Sequence, residues 1–153
     1  MSEPHVEAVA WFREKFRPFV EGQRLEVAER APGEFVVRLP QAAPWQRGGG
    51  GTDALNGGVI AYMFDGSMGG AIASAVLARV DWETFDLTQF GQVTVSLTIN
   101  YLRAALGDRF EAHGSVTKLG RGMAFAEGRF YDERGELCAT ATGVWRLFLP
   151  QDG

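Results

Sequence analysis

Cysteine occurs once in this chain, at Cys138, and histidine twice, at His5 and His113. A single thiol excludes an internal disulfide framework and suits a reducing compartment. Cys138 lies in a strand-like run and reads as core filling. Three such residues, far apart in sequence, make no zinc site of ordinary spacing and leave Ser-His-Asp catalysis poorly supplied. His113, alone in a strand pattern, reads as structural. Charge of one sign is also scarce: the formal net charge of −4 argues against a generic nucleic-acid binder. No basic-then-apolar leader pattern follows Met1. With 153 residues the expectation is one domain over residues 1–153, an N-terminal helix at about 4–20 and a core at about 23–149. The expected protein is soluble and cytoplasmic, with no nucleic-acid or membrane partner.

The most informative stretch is itself nearly devoid of charge. Between Leu55 and Ala78 only Asp65 carries a formal charge, on a long apolar helix pattern opened by Asn56-Gly57-Gly58. Burying a carboxylate is costly because leaving water disfavours its charged form. An acid amid Val59, Ile60, Met63, Phe64 and Ile72 therefore asks for a chemical reason. Free N–H groups at the helix start supply one: they can hold a polar group on which the carboxylate acts. The run is long enough to raise the transmembrane question, but its glycines, its acid and the strands that follow favour a buried core helix.

Around this helix the periodicities are clear. Residues 4–20 mix an apolar stripe with charge, as a surface helix does. Residues 24–29 and 34–39 flank the turn signal Ala31-Pro32-Gly33. The loop from Gln41 to Asp53 contains Gly48 to Gly51, four glycines in succession, and reads as a lid or a close backbone approach. Gln92 to Arg103 alternates strictly, with Val93, Val95, Leu97, Ile99 and Tyr101 expected on one face. Strands at 109–118, 123–131 and 137–148 follow, separated by glycine-containing turns. The fold class is α+β, with a curved antiparallel sheet wrapping the long helix.

Some motif matches fail. Asp65-Gly66-Ser67-Met68-Gly69 lacks the first glycine and the strand-to-helix turn of a nucleophile elbow. The glycine run lacks the Lys-Ser/Thr ending of a phosphate loop.

Four stretches together carry a resemblance: residues 55–65 (LNGGVIAYMFD), 94–103 (TVSLTINYLR), 120–125 (GRGMAF) and 135–143 (GELCATATG). In that order the chain resembles the hotdog fold, and more narrowly the phenylacetate-degradation-type acyl-CoA thioesterases, from about residue 20 to 148. The resemblance implies hydrolysis of a small, medium-chain or aromatic acyl-CoA, with no cofactor beyond the coenzyme A of the substrate. It implies Asp65 as general base or nucleophile and the Gly57 backbone N–H as the donor to the thioester carbonyl. Asn56 stands where the family often has histidine, and Thr94 aligns with a hydroxyl that a neighbouring subunit contributes. The site would lie between subunits of a homodimer or homotetramer. Gly58 is expected to touch substrate beside Gly57. Arg103, Lys118 and Arg121 are expected to gather at strand ends and receive the phosphates of coenzyme A. Where the family often carries Asn or Gln in the loop before the helix, this chain has Gly50, for which Thr52, Asp53 or Gln46 could substitute. Two rivals follow: an acyl-CoA-binding module without catalysis, and a dehydratase, which would need a histidine beside the acid.

Overall fold

The computed structural model describes residues 3–150, with side chains from Ala10 onward. Helix α1 (Glu3–Gly22) leads into the hairpin β1 (Glu26–Ala31) and β2 (Glu34–Leu39); α2 (Gly57–Leu77) follows, then β3 (Gly91–Tyr101), β4 (Phe110–Leu119), β5 (Met123–Tyr131) and β6 (Leu137–Phe148). The six strands form one antiparallel sheet in the order β1-β2-β4-β5-β6-β3. β3 does not lie beside its successor β4: it stands at the far edge and pairs with β6, leaving its other edge unpaired among the described residues.

Helix α2 is buried nearly all round, from Ile60 through Leu77. It passes the length and composition test for a membrane span, yet 72% of its apolar window is buried inside the protein, as expected of a core helix. Its close seat on the sheet depends on missing side chains. Gly114 of β4 and Gly128 of β5 are directly paired beneath it. A Cβ on Gly114 would stand 2.3 Å from the Ser67 carbonyl oxygen, and one on Gly128 would stand 2.7 Å from the Phe64 ring. On the other side, Phe16 and Phe19 of α1 lie over Gly66, where a Cβ would meet Phe19 at 2.5 Å. Phe19 stacks on Tyr62 of α2 with ring centroids 4.0 Å apart, and the Tyr62 hydroxyl donates to the Phe19 carbonyl at 2.8 Å.

The sheet face turned away from α2 holds a chain of charges. Arg38 Nε donates to Glu111 at 2.8 Å, and His113 Nε2 meets the other Glu111 oxygen at 2.7 Å. Partial burial pushes the Glu111 carboxyl up, but the hydrogen bonds from Arg38 and His113 outweigh it and hold the group below the usual range. His113 is thus a strand histidine with structural partners, as its sequence context suggests. Concavities of about 250 and 610 Å³ adjoin it on this face, away from Asp65.

Because main-chain atoms of α2 leave no room at Gly114, Gly114→Ala must force helix and sheet apart. A loss of about 2–3 kcal/mol is expected, read as a lower urea midpoint with an unchanged m-value.

Candidate active site

Helix α2 begins with every first-turn donor but one accounted for. Asn56 is the N-cap, in extended backbone, and its Oδ1 accepts from Gly58 N at 2.7 Å. The Asn56 carbonyl accepts from Val59 N at 3.0 Å and Ile60 N at 3.2 Å. That leaves the Gly57 N–H without a partner among the described residues, at the positive end of the helix dipole. The same pattern corrects two expectations. Asn56 is occupied as a cap and as a tether, its Nδ2 donating to the Gly48 carbonyl at 3.2 Å, so its side chain is structural. Gly58 has its N–H consumed by that cap, so it offers a ligand no free donor there.

The glycine loop is pinned at its base. Arg47 bridges to Leu55, Gly48 N donates to the Ala54 carbonyl at 2.9 Å, and the Arg47 guanidinium reaches the Gly107 carbonyl and the Asp108 carboxylate at 2.7 Å each. Gly48 to Gly51 all have positive φ, between 75° and 94°, which explains why four glycines stand there. Gln46 is fully buried and serves the loop: its Oε1 accepts from Ala43 N and its Nε2 donates to the Gln23 carbonyl, at 2.8 Å each. It is therefore no substitute for a catalytic amide at Gly50.

Asp65 is half-buried, and Thr94 Oγ1 donates to its Oδ1 at 2.6 Å within the same chain. Thr94 thus sits on the acid of its own chain, where the resemblance implied a hydroxyl from a neighbouring subunit. The cause is a β-bulge. Thr94 opposes Trp145 and Ser96 opposes Val144, so Val95 is an extra residue in β3. Before the bulge Gln92 and Thr94 face α2; after it Leu97, Ile99 and Tyr101 do, and Ser96, Thr98 and Asn100 turn outward. The single apolar face expected of Val93 through Tyr101 is thus broken at Val95.

Tyr101 escaped the sequence reading because an aromatic in an alternating strand looks like any β-former. Its hydroxyl donates to the Gly57 carbonyl at 2.6 Å, and burial raises its pKa. Tyr62, one turn before Asp65, also has a raised pKa, through burial first and the nearby Asp65 charge second.

With Gly57 against Tyr101, Asp65 against Thr94 and Gly69 against Gln92, α2 runs antiparallel to β3. Gly57 and Asp65 are eight residues apart, or about 12 Å along the helix axis. One chain therefore does not bring them to a common atom. The basic residues do not gather either. Arg103 pairs with Glu136 at the end of the sheet where Tyr101 opposes Ala139. Lys118 and Arg121 flank the β4–β5 turn, at the opposite end of the nine-residue β5, roughly 27 Å away. Phe64, next to Asp65 in sequence, is core, packed on Phe130. No group of three or more His, Cys, Asp or Glu side chains suited to a metal is found among the described residues.

If Asn56 is a cap, Asn56→Ala should cost about 1 kcal/mol of stability, whereas Asn56→Asp, which keeps the acceptor, should retain most of it. Thermal denaturation of both variants checks this.

Residues 53–139 match the family model of the Thioesterase superfamily. The medium/long-chain acyl-CoA thioesterase YigI of Escherichia coli is 29% identical over 135 residues, covering 85% of each chain. A Bacillus halodurans protein solved with CoA is similar at a TM-score of 0.69 and 24% identity, over 97% of this chain and 91% of that one. The PaaI protein of the E. coli phenylacetic acid degradation operon is similar at a TM-score of 0.72 and 17% identity, over 95% and 99%. The long helix on a six-stranded antiparallel sheet is the hotdog fold that the resemblance implies, and the chain belongs to the Thioesterase superfamily.

Proposed function

We propose that this protein hydrolyses acyl-CoA thioesters to the free acid and coenzyme A, at a site assembled from two copies of the chain. The observation that carries this reading is the 12 Å axial spacing, in round terms, between the free Gly57 donor and Asp65 on one helix. A thioester carbonyl held by Gly57 cannot be reached by Asp65 of the same helix. It can be reached by Asp65 of an antiparallel neighbour. The open edge of β3 supplies the means, since Val93 and Val95 on it are 51% and 58% exposed. If β3 pairs antiparallel with its copy about a two-fold at Thr98, with the extra residue Val95 again unmatched, Tyr101 of one chain falls opposite Thr94 of the other. Gly57 then lies beside Asp65 of the second copy.

In this arrangement the carbonyl oxygen accepts from Gly57 N–H at the positive end of α2, where charge develops as the carbon becomes tetrahedral. Thr94 fixes one oxygen of Asp65, leaving Oδ2 to take a proton from water as the water attacks the carbon. The C–S bond then breaks; the thiolate, a weak base, departs without a strong acid and takes up the proton held by Asp65, which restores the carboxylate. Coenzyme A as carrier is supported by the name of YigI and by the CoA bound to the B. halodurans neighbour. Medium-chain acyl groups are common to that name and to the sequence expectation. Lys118 and Arg121 remain proposed phosphate ligands; Arg103, already paired with Glu136, is a weaker one.

The test is thiol release from a panel of short, medium, long and aromatic acyl-CoAs. Asp65→Asn should lose at least about a hundredfold in kcat. Gly57→Pro should do the same while folding normally: proline suits the first helical position and removes the N–H, its Cβ would meet the Tyr101 ring at 3.4 Å, an ordinary contact, and Asn56 already has the extended backbone that a following proline requires. Refolding the two inactive variants together should restore about a quarter of wild-type activity, since half the dimers are mixed and each holds one intact site. Full activity of Asp65→Asn would refute the mechanism, and no recovery on mixing would refute the shared site. Tight acyl-CoA binding without thiol release would favour a binding module, a reading motivated by Gly50 standing where relatives carry an amide.

A further inference from the structure

We infer that Tyr101 is a positioning residue of this site: it holds the Gly57 peptide so that the free N–H is fixed before substrate arrives. The inference rests on the proposed role of Gly57. Helix α2 starts with two glycines, the residues that resist ordering most, at the point where a carbonyl donor must not move. A cap on the loop side, Asn56, secures Gly58. Nothing on the loop side secures Gly57. The strand side does, through the Tyr101 hydroxyl on the Gly57 carbonyl at 2.6 Å and a ring only 3.4 Å from where a Gly57 Cβ would stand. The ring thus lies against the Gly57 backbone, and the hydroxyl pins what glycine leaves loose.

Strand geometry makes this contact a specific arrangement. Thr94 and Tyr101 are seven residues apart, an odd number, so a regular strand would turn them to opposite faces. The extra residue Val95 brings both to α2, one to Asp65 and the other to Gly57. Tyr101 is 53% exposed in one chain. In the proposed pairing its ring lies between Gly57 and Asp65 of the second copy, forming the floor under the reacting carbonyl. Its role is to hold and to exclude water, with no proton transfer of its own.

Tyr101→Phe keeps the ring and removes the hydroxyl. The expected result is a kcat about tenfold lower, with KM, free-CoA affinity by calorimetry, sedimentation and melting temperature close to wild type. A second readout needs no catalysis: amide hydrogen exchange at Gly58 and Ala61, whose N–H groups are bonded in the first turn, should quicken about tenfold in the variant. An unchanged kcat with unchanged exchange would overturn the inference, as would a kcat loss accompanied by dissociation or a collapsed melting temperature. Asp65→Asn in the same assay separates the two questions. If wild type and Asp65→Asn release thiol equally, the proposed chemistry fails while the exchange measurement still decides whether Tyr101 holds Gly57.

Discussion

A strand turns successive side chains to opposite faces, so Thr94 and Tyr101 can meet one helix only if β3 gains a residue between them. The bulge at Val95 is that residue. It sets Thr94 on the Asp65 carboxylate and Tyr101 on the Gly57 carbonyl, and it sends Ser96, Thr98 and Asn100 outward. A one-residue deletion here would leave the sheet hydrophobic enough to fold, yet would separate the acid from its hydroxyl or the helix start from its tyrosine. The site is therefore a matter of register before it is one of residue type.

The lone acid of α2 is compatible with its apolar helix because the structure meets its needs at the edge of the core. Asp65 is half-buried, with Thr94 donating to one oxygen and no ion pair among the described residues. A carboxylate so placed is held by a hydroxyl and paired with no cation, which suits a group that must accept a proton. At the other end, Asn56 satisfies the first turn so completely that Gly57 alone is left over. Two local rules, capping and partial burial, thus leave one donor and one acceptor unspent, and these are the two groups that thioester hydrolysis requires.

Local periodicity made the elements legible. The long apolar run, the alternating strands and the glycine turns give α2, β4, β5 and β6 nearly at their observed limits, since each signal lies within its own segment. The position of β3 was hidden because strand pairing is non-local: nothing in residues 91–101 says that β6 lies beside them. The bulge was hidden by its own sequence. Val93, Val95 and Leu97 alternate as if regular, and only the partner strand reveals that Val95 has no opposite number. Lys118, Arg121 and Arg103 looked like one cluster because all three end strands, but opposite ends of a sheet are far apart. Asp65 and Gly57 were legible through the energetic oddity of a charge and the bare backbone of two glycines. Tyr101 carried no such mark.

The same helix that gathers these groups also keeps them apart. A continuous helix from Gly57 to Leu77, α2 cannot fold back to carry Asp65 to Gly57, and the residues between them are packed against α1 and the sheet. A shorter spacing would put both groups on one subunit, but then the carbonyl would have to lie along the helix surface, where Tyr62 and Phe19 are stacked. Splitting the pair over two antiparallel helices removes that conflict. In the proposed dimer the carbonyl sits in the cleft between the copies, the pairing that builds the cleft closes the sheet edge that would invite aggregation, and the site occurs twice. On this reading the exposed edge of β3 and the incomplete site of the single chain are one feature, because the contact that covers the first completes the second.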